Sequence, residues 1–341
     1  MLIVAGADVE GGHHRPGHPE RPERIDAVLA GIDDLHLGDD LRVLPPSVAE
    51  RELLVPVHDG GYLDHLDAFC RTGGGDLDPD TYATSASWAA ALRVAGAGLA
   101  AVDALRRHGE GVAFVAARPP GHHALADQAY GFCLVNNVAV AAAALRASGE
   151  RVLVVDWDVH HGNGTQAIFW DDPEVLVVST HQWPLFPGTG TAREVGGPGA
   201  RGGTVNVPLP AGATGDVVRR ALEEVALPVI ERFAPTWVLV SAGFDAHRRD
   251  PLGGMDLSAG DFADLARLVA GFAPGPGRLA LFLEGGYDLG ALRSSVAATL
   301  GALVGATVAT EDPTSGGPGA AMVAEATAVR TAALRVAGSD R

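Results

Sequence analysis

The chain has 341 residues, 47% of them hydrophobic and 20% charged, enough apolar material for a large buried core within one α/β unit. Its formal charge of −17 repels phosphate backbones, which argues against direct nucleic-acid binding and is compatible with cationic substrates such as lysine side chains or polyamines. The only two cysteines, Cys70 and Cys133, lack CxxC spacing and lysine is absent altogether, so a disulfide framework, a thiolate zinc site and lysine-based chemistry are all disfavoured.

In chain order, Met1–Ala5 is apolar but too short for a signal peptide, and no stretch reads as the roughly 18–20 apolar residues of a membrane span. The cytoplasm is therefore the expected location. Five apolar runs then each lead into a cluster of chemically capable residues. Val112–Ala116 precedes RPPGHHA, Val152–Val155 precedes DWDVHHGNG, Val175–Val178 precedes STHQWPLFPGTG, Trp237–Val240 precedes SAGFDAHRRDP, and Leu279–Leu283 precedes EGGYDLG. Short runs rich in Val, Leu and Phe, bounded by turn residues, read as buried parallel strands. Between them Ser85–Arg107, Leu134–Ala147, Asp216–Phe233, Ser258–Gly271 and Leu289–Leu303 read as helices. The alternation predicts a single-domain α/β fold, a parallel sheet flanked by helices on both faces. Ligands of such sheets bind outside the carboxyl ends of the strands, where all five clusters fall. Gly196–Gly203 and Gly73–Gly75 read as loops, the second expected beside the pocket. A catalytic domain is expected over residues 1–312, followed at 313–341 by a flexible joint and a helical tail.

Asp158 and His160 lie two apart in an extended segment leaving a strand, so both can face one point. Asp245 has the matching position after its own strand. Two oxygens and one nitrogen with an open fourth position suit a catalytic Zn²⁺, although Fe²⁺ or Mn²⁺ would accept the same set, and an isolated DxH is more often a cap or a core hydrogen bond. His122 and His123 form a tandem pair at the same sheet edge. Asp156 and Asn163 can orient these imidazoles, or simply cap a strand and form a turn. Tyr287 follows two glycines that let the backbone approach closely, and its hydroxyl can donate to a developing oxyanion or its ring can cover the core. Phe132 and Phe186 are candidates for an apolar channel. No HExxH, nucleophile elbow or dinucleotide fingerprint is present.

Together HPERPERI (His18–Ile25), RPPGHHA, GFCLVNNVA, VDWDVHHGNGT, PGTG, GFDAHRRDPLGG and EGGY resemble the histone deacetylase superfamily, in its order and over most of the chain, and its class II and bacterial branch above all. The resemblance implies an arginase-like α/β fold and a zinc-dependent deacetylase that hydrolyses an acetyl-amide of the acetyl-lysine type. It implies Asp158, His160 and Asp245 as zinc ligands, His123 as general base and then acid, and His122 as electrostatic support. Asp156 would hold His122 and Asn163 would hold His123; class I members carry Asp at the latter place. Tyr287 would be the oxyanion donor, Gly131, Phe132 and Phe186 would line the substrate tunnel, and Arg24 would lie by an internal acetate cavity. Ser179 and the backbone of Asp156–His160 match a structural K⁺ site.

Three rival readings follow. An acetylpolyamine amidohydrolase shares this chemistry, but a polyamine-selective branch carries Glu where this chain has Leu252, which favours acyl-lysine. A manganese ureohydrolase needs further Asp and His ligands in motifs absent here. A non-catalytic binding module is disfavoured by the complete set of ligands, the His pair and Tyr287.

Overall fold

The computed structural model describes residues 1–6 and 12–339. The chain opens with β1 (Leu2–Ala5), α1 (Glu23–Asp33), β2 (Leu41–Val43) and α2 (Gly60–Arg71). A two-stranded antiparallel ribbon follows, β3 (Gly74–Asp76) and β4 (Tyr82–Thr84), and then α3 (Ser87–His108). The body continues as β5 (Val112–Val115), α4 (Asn137–Ala147), β6 (Val152–Asp156), α5 (Asn163–Ile168), β7 (Val175–Gln182) and β8 (Thr204–Leu209). It closes with α6 (Gly215–Arg220), α7 (Leu227–Phe233), β9 (Trp237–Ala242), α8 (Ala259–Ala270), β10 (Leu279–Leu283), α9 (Leu289–Val304) and α10 (Ala320–Ser339).

Eight strands form one sheet in the order β2-β1-β5-β10-β9-β6-β7-β8, with every neighbouring pair parallel. Side chains alternate between two cores, as the strand period of two requires. Leu153, Val155, Val238, Val240, Leu281 and Leu283 meet α1, α6, α7, α8 and α9 on one face. Val152, Val154, Trp237, Leu239, Ala280 and Phe282 meet α2, α3 and α4 on the other. The chain passes from β5 to β6 across a gap that β9 and β10 fill later. The carboxyl ends of β5, β10, β9 and β6 therefore lie side by side at the reversal of strand order, where open α/β sheets place their ligands.

Several expectations need correction. Within the apolar run Met1–Ala5, to which no element was assigned, Leu2–Ala5 supplies an inner strand of the sheet. Gly73–Gly75 runs into β3, and Gly74 is demanded there because a Cβ would sit 2.2 Å from the carbonyl oxygen of Ala83; the segment does not line the pocket described below. The helix read over Asp216–Phe233 is interrupted by a π turn at Ala221–Ala226. Pro228 at the start of α7 has no N–H for the preceding turn, which breaks the regular ladder. Helix α3 is long and apolar enough to cross a membrane by length and composition, contrary to the earlier reading, but most of it is buried against the sheet and α4. The segment read as a flexible joint is tied down. Thr314 donates its N–H and hydroxyl to the buried carboxylate of Asp261 (3.0 and 2.7 Å), and Gly317 N–H donates to Thr214 Oγ1 (2.9 Å). Helix α10 then packs on β8 and α6, with Arg330 donating to the carbonyls of Gly202 and Thr204.

Candidate active site and metal centre

The loop after β6 carries most of the chemistry. Asp158 and His160 point the same way, and Asp245 reaches them from the loop after β9. His160 Nδ1 lies 3.1 Å from Asp158 Oδ1 and 3.1 Å from Asp245 Oδ2, and the ligand atoms of all three residues lie within 4.8 Å of one another. Tetrahedral ligands with bonds of roughly 2.0–2.1 Å stand about 3.3 Å apart, so this triangle has the size that one zinc-type ion needs. The remaining carboxylate oxygens are held by backbone: Asp158 Oδ2 accepts from Gly285 N–H (2.8 Å) and Asp245 Oδ1 from Val159 N–H (2.9 Å). Glycine is required around this triangle. A Cβ on Gly243 would sit 2.0 Å from Asp158 Oδ2, and one on Gly285 would sit 2.0 Å from Asp245 Oδ2.

The loop after β5 brings in the histidine pair. His122 Nδ1 is 2.9 Å from Asp156 Oδ2, and His123 Nδ1 is 2.7 Å from Asn163 Oδ1. The buried carboxylate of Glu284 anchors this loop by accepting the N–H groups of Gly121 (2.7 Å) and His122 (3.1 Å). The loop after β10 supplies Tyr287, whose ring meets Phe132 edge-on at 5.9 Å and lies 4.9 Å from the Arg24 guanidinium.

Burial sets the electrostatics. Burial disfavours charge on His122, but Asp156 and Asp158 outweigh it and hold that imidazole well above its ordinary pKa. Burial pushes His123 well below, reinforced by His122 and His160, so His123 is neutral at pH 7. Two adjacent imidazoles thus carry different charges. Burial also opposes charge on His160, yet hydrogen bonds to Asp158 and Asp245 raise it to about 10. Asp245 is raised by burial and by Asp158, and Glu284 is raised to about 7 by burial. Buried carboxylates crowded this closely leave the centre short of positive charge, which a divalent cation would supply. Burial keeps the Tyr287 hydroxyl protonated, well above its ordinary pKa, and Arg24 opposes this only in part.

These groups open into a pocket of about 240 Å³. Gly131, Phe132, Phe186, Leu252 and Tyr287 line it, with His122, His123 and His160. Phe186 meets His123 edge-on at 5.1 Å and stacks on Tyr130 at 4.9 Å. A Cβ on Gly131 would sit 2.5 Å from the His123 ring, so this wall also depends on glycine. A larger cleft, about 380 Å³, lies at the opposite edge of the sheet beside Arg151 and Phe233 and holds none of these groups. Asp156 and Ser179 are register partners on β6 and β7, and Ser179 Oγ lies 2.9 Å from His181 Nδ1. Arg24 lies behind Tyr287 and does not line the pocket. It is fully buried, donating to Glu20 Oε1 (3.2 Å), to the Gly286 carbonyl (2.7 Å) and to the Glu284 carbonyl. Sequence reasoning missed Asp80, Pro120 and Leu185 as lining residues, and Asp250 and Glu284 as buried anchors. The last two stand inside the quoted GFDAHRRDPLGG and EGGY motifs, which was the available signal.

The chain is similar to known proteins over most of its length. The histone deacetylase domain family matches residues 18–303. Histone deacetylase-like amidohydrolase of Pseudomonas aeruginosa is 40% identical over 305 residues, covering 87% of this chain and 80% of that protein. Histone deacetylase 10, chloroplastic, of Oryza sativa subsp. japonica is 39% identical over 316 residues, covering 86% and 71%. The crystal structure of the HDA15 HD domain superposes with a TM-score of 0.89 at 32% identity, covering 99% of this chain and 97% of that one. The matched span contains every residue of the site, from Arg24 to Tyr287, and the chain belongs to the histone deacetylase family.

Proposed function

We propose that this hydrolase uses one zinc ion, held by Asp158, His160 and Asp245, to remove the acetyl group from acetyl-lysine-type side chains. The reading rests on one observation: the three ligand atoms lie within 4.8 Å of one another, and His160 among them opens onto a pocket walled by Phe132, Phe186 and Leu252 and lined by His123 and Tyr287. The apolar walls suit a four-carbon lysine stem with its amide at the base. A bound zinc ion would supply Lewis-acid polarisation of the acyl oxygen and lower the pKa of an attacking water. Neutral His123 takes the proton as water attacks, with Asn163 fixing its other ring nitrogen. Tyr287 donates to the oxygen that gains charge. Protonated His123 then hands its proton to the nitrogen of the leaving amine, and acetate remains. His122, kept cationic by Asp156 and Asp158, adds positive charge beside His123, the two ring centroids being 4.0 Å apart. A structural K⁺ at Ser179 and the Asp156–His160 backbone belongs to the same reading.

One observation favours an acetylpolyamine substrate instead: Asp80 lines the pocket and would attract a second amine. The uncharged Leu252 beside it favours acetyl-lysine. The test is a comparison of the zinc-loaded enzyme on acetyl-lysine peptides and acetylspermidine, with metal content measured in parallel. The expected result is one zinc per chain and higher kcat/KM on the peptides. Two catalytic metals, or activity that survives Asp245→Ala, would overturn the proposal, and preference for acetylspermidine would reverse the substrate assignment.

A further inference from the structure

We propose that Asp250 is a positioning residue that locks the oxyanion donor, Tyr287, to the selectivity position, Leu252. The inference rests on the roles assigned to those two residues above. Asp250 lies on the loop after β9 and is buried, and among the described residues it forms no ion pair. Its carboxylate is satisfied instead by backbone from two loops. Oδ2 accepts the N–H of Tyr287 at 2.6 Å and of Asp288 at 3.2 Å, and Oδ1 accepts the N–H of Leu252 at 3.0 Å. Its own N–H donates to the His247 carbonyl at 2.8 Å, which fixes the carboxylate against its loop.

A buried carboxylate without a cation is costly, since a neutral residue would fill the space without that penalty. Burial shows in the acid itself, which is raised to about 7, with Asp245 adding to the effect. What the carboxylate accomplishes is to join two pocket-lining residues that come from different strands. Tyr287 is then constrained on every side. Its N–H is held by Asp250, its ring is flanked by Arg24 and Phe132, and the next residue, Asp288, caps α9 through Ala291 N–H at 2.7 Å. The residue before it, Gly286, has φ +119°, a conformation that gives this turn no side chain of its own to lock it. A hydroxyl that stabilises charge only in the transition state must be placed to within roughly 0.5 Å, and Asp250 is the group that sets the peptide from which the ring projects. The same carboxylate makes selectivity and turnover interdependent, because movement of the Leu252 peptide is transmitted to Tyr287.

The test is a double-mutant cycle on the zinc-loaded enzyme with an acetyl-lysine peptide, using Asp250→Ala, Asp250→Asn, Tyr287→Phe and the combinations. Tyr287→Phe is expected to lower kcat by about 10²–10³-fold, as for loss of one oxyanion donor. Asp250→Ala is expected to lower kcat at least about tenfold, and Asp250→Asn, which keeps one acceptor oxygen but turns an NH2 group toward the remaining backbone N–H, to lower it by about three- to fivefold. With phenylalanine at 287 no hydroxyl is left to misplace, so Asp250→Ala should then cost less than about twofold. A full-sized loss in both backgrounds, or no loss in either, overturns the proposal. If the alanine variant fails to fold, the asparagine variant decides by the same cycle: a loss that vanishes with Phe at 287 supports positioning, and unchanged kcat makes Asp250 a purely structural residue. If Tyr287→Phe leaves kcat intact, the oxyanion role itself has failed, and that result is separate from any effect of Asp250.

Discussion

Gly285→Ala adds a single methyl group, and the structure states where it goes. Gly285 has an ordinary φ, so alanine imposes no backbone strain. Its Cβ would lie 2.0 Å from Asp245 Oδ2 and 2.6 Å from Asp158 Oδ2. Real Cβ contacts are rarely closer than about 3.0 Å, so the Asp245 carboxylate must retreat by about 1 Å or the β10 loop must move by as much. Metal sites tolerate displacements of about 0.2 Å, so either response spoils the triangle of Asp158, His160 and Asp245. Metal affinity should fall at least about 100-fold, with loss of activity to match. Overpacking should lower stability by about 1–3 kcal/mol, which leaves the protein folded. The assay is zinc affinity by competition with a chromogenic chelator, alongside a thermal melt of the metal-free protein. Gly290→Ala, at the second residue of α9, is the matched control: its Cβ meets Asp288 Oδ1 at 3.4 Å and Arg249 Nη2 at 3.8 Å, both ordinary contacts, and zinc affinity should not change. Gly285→Ala with native zinc affinity and native activity would refute the assignment of both carboxylates as ligands.

Other expectations follow from the same geometry. His123→Ala should lower kcat by about 10²–10⁴-fold and keep its zinc, since His123 lies outside the ligand triangle; zinc loss by elemental analysis would show that the ligand set is wrong. Leu252→Glu should move the ratio of kcat/KM for acetylspermidine over acetyl-lysine upward by at least about fivefold, the worth of ~1 kcal/mol from one partly exposed ion pair; an unchanged ratio means that Leu252 does not set selectivity. Glu20→Gln should cost about 3–5 kcal/mol at pH 7, because Glu20 is fully buried and holds both Arg118 and Arg24. Burial pushes the Glu20 carboxyl up, but Arg118 outweighs it and leaves it below its ordinary value of 4.5. The stability it contributes is therefore complete above that value and lost as the pH falls through the lower folded value. Urea melts should show the deficit of the variant shrinking below about pH 4.5, and a deficit independent of pH would mean that the ion pair is not its source.

Much of this molecule was legible without coordinates. The inner strands β6, β7, β9 and β10 are buried on both faces, so each begins with an unbroken apolar run, and the chemistry stands at its carboxyl end or just beyond. Asp158, His160 and Asp245 could be singled out because residue type and spacing alone limit what such a set can bind. Edge and terminal strands were less legible. In β8 the run TVNVPL is broken by Asn206 and Pro208. Asn206 is tolerated because it donates to Gln166 Oε1, and Pro208 because an edge strand has a side that needs no N–H donor.

What the sequence by itself determined is the set of candidate residues and the strand that delivers each, since both follow from local pattern. Only the tertiary structure decided which strands are neighbours. By inserting β10 and β9 between β5 and β6 it turned five separate clusters into one centre. It also decided the charges: His122 and His123 are adjacent and chemically identical, yet one faces Asp156 and the other Asn163, and burial magnifies that difference into opposite protonation. The same holds for Asp250, whose meaning lies in the three N–H groups it accepts, two of them from a loop 37 and 38 residues away in sequence. Pairwise contacts across such distances are set by the closing of the whole sheet, and no local pattern encodes them.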